Sequence, residues 1–208
     1  YELRDVTDYV VASPISIASA GAYYTHMLER GLFSDNPCDI AQTYYEDVTS
    51  DALVKDYDDF GIVISVLKTS ELPALAQVVG EALKDVDFTA YPDLKEAHAY
   101  HVYHNSYYYR PHYYDMRSAL SLLLNEEEFK KVDDALSRAI PFYAATHKYW
   151  VGPSTNGYNN INVPDCCGMS MFFPQKIYAD NASRCVFDNH NETYRQTAWA
   201  KAIGKGAE

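Results

Sequence analysis

The chain has 208 residues, 29 acidic against 17 basic, for a formal net charge of −12. Such a field repels phosphate backbones and gains nothing from counterion release, so it speaks against nucleic acid and favours cationic partners. Hydrophobic residues at 48% and charged residues at 22% allow a sizeable core, while no apolar run approaches the roughly 18 residues that a membrane span needs.

The chain opens on Tyr1, Leu3 and Val6 at loosely helical spacing, with Glu2, Arg4 and Asp5 between them. This pattern is expected to be the last turn or two of an amphipathic helix that starts further upstream, because no initiator Met, signal peptide or cap residue precedes it. It leads into Tyr9-Val10-Val11-Ala12, a short apolar run of β type that Ser13-Pro14 stops. Beyond a small-residue loop ending at Gly21, a helix carries Tyr24, Met27, Leu28 and Leu32, with Gly31 near its end. Asn36-Pro37 then reads as an N-cap with Pro at the first helical position, opening a helix through Ile40, Ala41, Tyr44, Tyr45 and Val48.

Ile62-Val63-Ile64-Ser65-Val66-Leu67 is a near-continuous apolar, β-branched run suited to a strand buried on both faces. Ser70 is expected to cap the helix that follows, whose apolar positions Leu72, Leu75, Val79 and Leu83 keep the 3.6 period, with Pro73 in its first turn. A buried strand followed by an amphipathic helix points to an α/β layered fold.

From about Phe88 to Tyr114 the texture is loop and aromatic, and Tyr114 to Leu124 reads as helical. Asn125 caps a stronger helix, with Glu126-Glu127-Glu128 at its positive end and Phe129, Val132, Leu136, Ile140 and Tyr143 along one face. Pro141 is expected to kink it. Residues 151–168 read as a loop, Gly168 to Pro174 as a short strand, and the last helix holds Tyr194, Ala198 and Trp199.

Candidate chemistry is sparse. His98, His101 and His104 recur every three residues, with His112 nearby, and helical i, i+3 histidines can hold zinc. Spacing of three drifts around a helix, however, and the surrounding tyrosines favour a packed, hydrogen-bonded surface instead. No G-x-S-x-G, G-x-x-x-x-G-K or H-E-x-x-H occurs. The four cysteines are Cys38, Cys166, Cys167 and Cys185, without C-x-x-C spacing, and a free, buried state is expected for at least two. A Cys–His dyad would have to come from His147 with Cys166 or Cys167, where placement at a loop end is an equally good reading. Asn181-Ala182-Ser183 and Asn191-Glu192-Thr193 match the glycosylation acceptor pattern, which is too short to carry weight.

Taken together, four stretches resemble the clostripain family of cysteine peptidases. They are Tyr1-Glu2-Leu3-Arg4 through Tyr9 to Pro14, Gly21-Ala22-Tyr23-Tyr24 opening a helix, the Ile64-Ser65-Val66-Leu67 strand, and Gly168-Met169-Ser170-Met171-Phe172-Phe173-Pro174. A closing helix with Tyr194 and Trp199 also suits the family's end. The resemblance implies the C-terminal part of a caspase-like, mostly parallel sheet flanked by helices, with a helical and aromatic C-terminal subdomain. Residues 1–87 would form the core half and 88–208 the subdomain.

It further implies that the nucleophilic Cys and its His belong upstream of Tyr1, so no catalytic residue lies in this chain. Ser13, Pro14 and Ser16 would line the substrate pocket at the carboxyl end of the Tyr9–Ala12 strand. The function implied is hydrolysis after Arg or Lys, in a secreted or envelope-exported bacterial enzyme that matures by cutting itself. This portion would be inactive without its N-terminal partner. No cofactor is expected. Calcium is used in part of the family, and no acidic cluster here can be assigned to it. The rival expectation is a non-catalytic peptide- or carbohydrate-binding domain, or pseudoenzyme, working through the Tyr100–Tyr114 face. A third is a self-sufficient hydrolase using Cys166 or Cys167.

Overall fold

The computed structural model describes residues 1–17, 21–50, 61–105, 108–152, 157–180 and 190–207, with side chains left out at 101–105, 108–112, 152, 157–158 and 180. Cys185, the Asn181 acceptor pattern and the side chains of His101, His104 and His112 therefore lie outside the described residues.

The central sheet has the order β1 (Tyr9–Ala12), β2 (Val63–Lys68), β5 (Phe142–Ala145). Its middle strand alternates between two cores. Ile62, Ile64 and Val66 pack with Met27 of α1 (Tyr24–Arg30) and with Ala41 and Tyr44 of α2 (Pro37–Thr49). On the other face Val63 joins Tyr100, Tyr149 and Cys166, and Leu67 packs on the largest core. That core holds α3 (Leu72–Ala82), α4 (Met116–Leu123) and α5 (Glu126–Ala139). It also takes in Phe173, together with Tyr194 of α7 (His190–Gln196) and Ala200 of α8 (Ala198–Ala202). A five-residue α6 (Lys176–Asp180) precedes α7. Buried Asp47 fastens α1 to α2, accepting from His26 Nδ1 at 2.8 Å and from Arg30 at 3.0 Å.

A mostly parallel sheet was implied, but all five strand pairings among the described residues are antiparallel. The α/β class stands, with helices on both faces of the sheet. The near-continuous apolar run in β2 signals burial on both faces, and a central antiparallel strand sandwiched by helices needs that as much as a parallel one does.

Several local expectations change in the same way. Within the stretch 88–114 that was read as loop, β3 (Ala99–Asn105) and β4 (Tyr108–Asp115) form an antiparallel pair, and β8 (Ser170–Met171) extends it. His101 and His104 therefore lie on a strand, where helical ligand spacing has no meaning. Likewise β6 (Lys148–Gly152) and β7 (Gly157–Asn160) form a second antiparallel pair, and β7 with the end of β6 falls in the stretch read as loop. Pro141 ends α5 rather than kinking it, since Ile140 is already its C-cap and Phe142 opens β5. Ser70 sits in a 3-10 turn before α3 and makes no cap, whereas Asn125 closes a full capping box with Glu128 on α5. Tyr1 to Thr7 makes hydrogen-bonded turns, and the closing helix is split into α7 and α8 at Thr197, which caps the second.

Candidate functional site

A cleft of about 160 Å³ opens where β1 ends, between Ala12, Ser13 and Pro14 on one side and the Gly168–Ser170 segment on the other. Val10 of β1 and Ser65 and Leu67 of β2, with Ile140, complete the lining. Two of the three expected pocket residues, Ser13 and Pro14, are thus together at the rim, while Ser16 is exposed and outside the lining. Ser13 closes its own turn, its Oγ accepting from Ile15 N–H at 3.2 Å and lying 3.1 Å from the Ile15 carbonyl. Among the described residues no acidic side chain lines the cleft.

The far wall is held from behind by buried polar groups. Asp115, fully excluded from solvent, accepts on Oδ2 from Tyr100 Oη at 2.6 Å, Cys167 N–H at 2.9 Å and Gly168 N–H at 3.0 Å. Its Oδ1 accepts from Ser118 N–H at 3.0 Å, which makes it the N-cap of α4. Four donors compensate a carboxylate taken wholly out of water, a group that would otherwise be costly to bury. Arg117 donates to the Cys166 carbonyl at 2.9 Å and is itself paired with Asp133 at 2.6 Å. Ser65 Oγ donates to the Gly168 carbonyl at 2.9 Å, and Met116 N–H to the Met169 carbonyl at 2.9 Å. Burial, reinforced by Asp115, holds the Tyr100 phenol far above its ordinary range.

The two adjacent thiols are poorly suited to attack. Burial, then the Asp115 charge, pushes Cys167 up to about 12 and Cys166 higher still. His147 is exposed and shares no hydrogen bond with either sulfur, so the dyad weighed for them does not form. Cys38 is half-buried, and burial with nearby Asp39 raises it too. Among the described residues no group of His, Cys, Asp and Glu could hold a metal. Asn191 is engaged at both ends of its amide with the Gln175 backbone, at 2.9 and 2.8 Å, which leaves its acceptor pattern a structural role.

Sequence reasoning did not single out Asp115, Tyr100, Ser65 or Gly168. A signal existed for the first: an Asp immediately before the apolar-periodic residues Met116, Ala119 and Leu120 is an N-cap pattern. The buried partners that give it significance come from residues up to 53 positions away.

An α/β sheet with helices on both faces and a cleft at a strand end is the frame of the caspase-like C11 proteases. The profile of the clostripain family matches residues 1–205, and the chain belongs to that family. Among solved structures, an inactive zymogen C11 protease from Parabacteroides distasonis is similar with a TM-score of 0.77 at 24% identity, over 98% of this chain and 54% of the relative. A clostripain from Bacteroides thetaiotaomicron in complex with the peptide inhibitor BTN-VLTK-AOMK is similar at 0.74 and 21%, over 100% and 81%. A secreted C11 cysteine protease from Bacteroides thetaiotaomicron, in complex with an irreversible peptide inhibitor, gives 0.73 and 21%, over 98% and 54%. The chain spans about half the length of the first and third of these. No curated protein matches it. None of the described helices is long and apolar enough to cross a membrane.

Proposed function

We propose that this chain is the C-terminal portion of a cysteine endopeptidase hydrolysing peptide bonds after Arg or Lys, and that Ser13 and Pro14 border its substrate site. The nucleophilic Cys and the His that protonates the leaving amine would come from the upstream portion of the same gene product. The observation that carries this reading is the cleft at the carboxyl end of β1, set in a clostripain-family fold.

Two further points support it. The described thiols are buried or raised and lack a histidine base, so the chain's own Cys166 and Cys167 make poor nucleophiles. The net charge of −12 favours cationic substrates, and one relative is bound by an inhibitor whose peptide, VLTK, ends in lysine. Among the described residues no specificity carboxylate lines the cleft, and on this reading the upstream portion supplies it. Export of the enzyme accords with the relative described as secreted. For the rival binding-domain reading, Tyr100 and Tyr114 at either end of its aromatic face are buried and Tyr113 is exposed.

The test is to treat the full-length gene product with a lysyl or arginyl acyloxymethyl ketone and map the modified residue by mass spectrometry. A single adduct on a cysteine outside this chain, with turnover that this chain alone lacks, supports the proposal. No adduct on folded protein, or an adduct on Cys166 or Cys167, overturns it.

A further inference from the structure

Two successive backbone amides at the far wall of the cleft, Cys167 N–H and Gly168 N–H, converge on one buried carboxylate that the cleft itself does not reach. Gly168, Met169 and Ser170 line the cleft; Asp115 and Tyr100 do not. Yet the wall has little freedom of its own. Cys167 N–H and Gly168 N–H both end on Asp115 Oδ2, and Gly168 N–H also lies 3.2 Å from Tyr100 Oη. Asp115 is further locked by capping α4 and by pairing with Ser170 in the β4–β8 ladder.

We infer that Asp115, oriented by Tyr100, is a positioning residue for substrate binding: it sets the place of the Gly168–Ser170 wall without touching the substrate. This rests on the peptidase reading above and adds to it a determinant of affinity. The physical logic is that of a supporting shell. A wall built from backbone has no rotamer of its own to lock, so its precision comes from the groups that accept its N–H donors. Two successive amides sharing one carboxylate oxygen cannot both keep their bonds if the peptide between them rotates. The carboxylate therefore fixes the plane of the Cys167–Gly168 peptide, and the Ser65 hydroxyl of β2, donating to the Gly168 carbonyl at 2.9 Å, holds the next one.

Asp115→Asn is a poor probe, because an amide NH2 would face at least one of four donors and the fold itself would suffer. Tyr100→Phe is milder: it removes one donor to Asp115 and leaves three. In the full-length enzyme, active sites are first counted with the lysyl ketone, and kcat and KM are then measured on a lysyl peptide amide. KM is expected to rise about three- to tenfold, with kcat per titrated site within about twofold of wild type. A merely structural role would lower the number of titratable sites and leave KM alone; KM within about twofold of wild type overturns the inference. Should Tyr100→Phe lose its near-ultraviolet dichroism, Arg117→Lys takes its place. It keeps a cation near Asp133 but gives up the bond to the Cys166 carbonyl, and the same rise in KM is expected, with the same result overturning it. A wild-type enzyme that neither labels nor turns over defeats the peptidase reading and this inference with it, whereas labelling with an unmoved KM defeats the inference alone.

Discussion

Ser65 and Gly168 stand 103 residues apart, and the serine hydroxyl donates to the glycine carbonyl at 2.9 Å. The bond ties the central strand of the sheet to the wall of the cleft, so the two sides of the candidate site are parts of one packed unit. It also brings the chain so close that position 168 has no room. Gly168 adopts φ +75°, and a Cβ there would lie 2.6 Å from Tyr143 Cδ2 and 3.0 Å from Ser65 Cβ.

Gly168→Ala is therefore expected to destabilise the protein by about 2–4 kcal/mol, from left-handed backbone strain and overpacking against a half-buried ring. Urea unfolding midpoints of wild type and variant measure this directly. A loss under about 1 kcal/mol would mean that the Tyr143 ring yields.

What the sequence discloses and what it hides divide along physical lines. Local signals read well: the Asn36-Pro37 and Asn125 helix starts are where their caps place them, and the apolar run around Ile64 is the central strand. The two hairpins were missed because their strands are rich in Tyr, His and Asn, which carry no clean period-2 alternation. The mostly parallel sheet was implied by the resemblance, and nothing in the strands' own residues could check it, because hydrophobicity reports burial and not the orientation of a neighbour. At the candidate site Ser13 and Pro14 were legible as a strand-end turn. The Asp115 network was not, because its members come from β3, β4 and the 166–168 segment and meet only in the folded chain.

Cys166 and Cys167 are expected to resist a small thiol reagent in native protein while Cys38 reacts. Both are buried, with Cys167 pushed up to about 12 and Cys166 beyond, so the thiolate fraction near neutral pH is very small. Per-residue mass spectrometry after timed alkylation gives the rates. Reaction of Cys166 as fast as Cys38 would show that the wall opens readily, and Cys166→Ala together with Cys167→Ala should leave turnover of the full-length enzyme unchanged.

Two serine- and asparagine-based helix starts, alike in the sequence, should behave differently. Asn125 accepts from Glu128 N–H at 3.0 Å and completes a capping box, so Asn125→Ala is expected to cost about 1 kcal/mol. Ser70 caps nothing, and Ser70→Ala should fall within about 0.5 kcal/mol of wild type. Equal losses in thermal or urea melts would contradict the observed start of α3.

Stability should also depend on pH through His98. Burial lowers its pKa, with Asp115 acting weakly the other way, and its Nε2 lies 2.9 Å from Tyr149 Oη, a hydroxyl that also accepts from Asn159. The Tyr149 proton also has the Ala99 and Tyr100 carbonyls as acceptors, at 3.5 and 3.4 Å, so it is burial that favours the neutral ring. The sign follows from linkage. Between the ordinary histidine value, about 6.5, and the lower folded value, the unfolded chain binds more protons than the native one, so stability rises with pH there. The contribution is complete above about pH 6.5 and is lost as pH falls through the folded pKa, at no more than about 1.4 kcal/mol per pH unit. His98→Gln should flatten the wild-type slope of unfolding free energy between about pH 5 and 6.5 while lowering stability at pH 8, where the lost packing remains. Parallel slopes for the two proteins across that window would show that His98 does not titrate on unfolding, and the neutral-ring assignment would have to be abandoned.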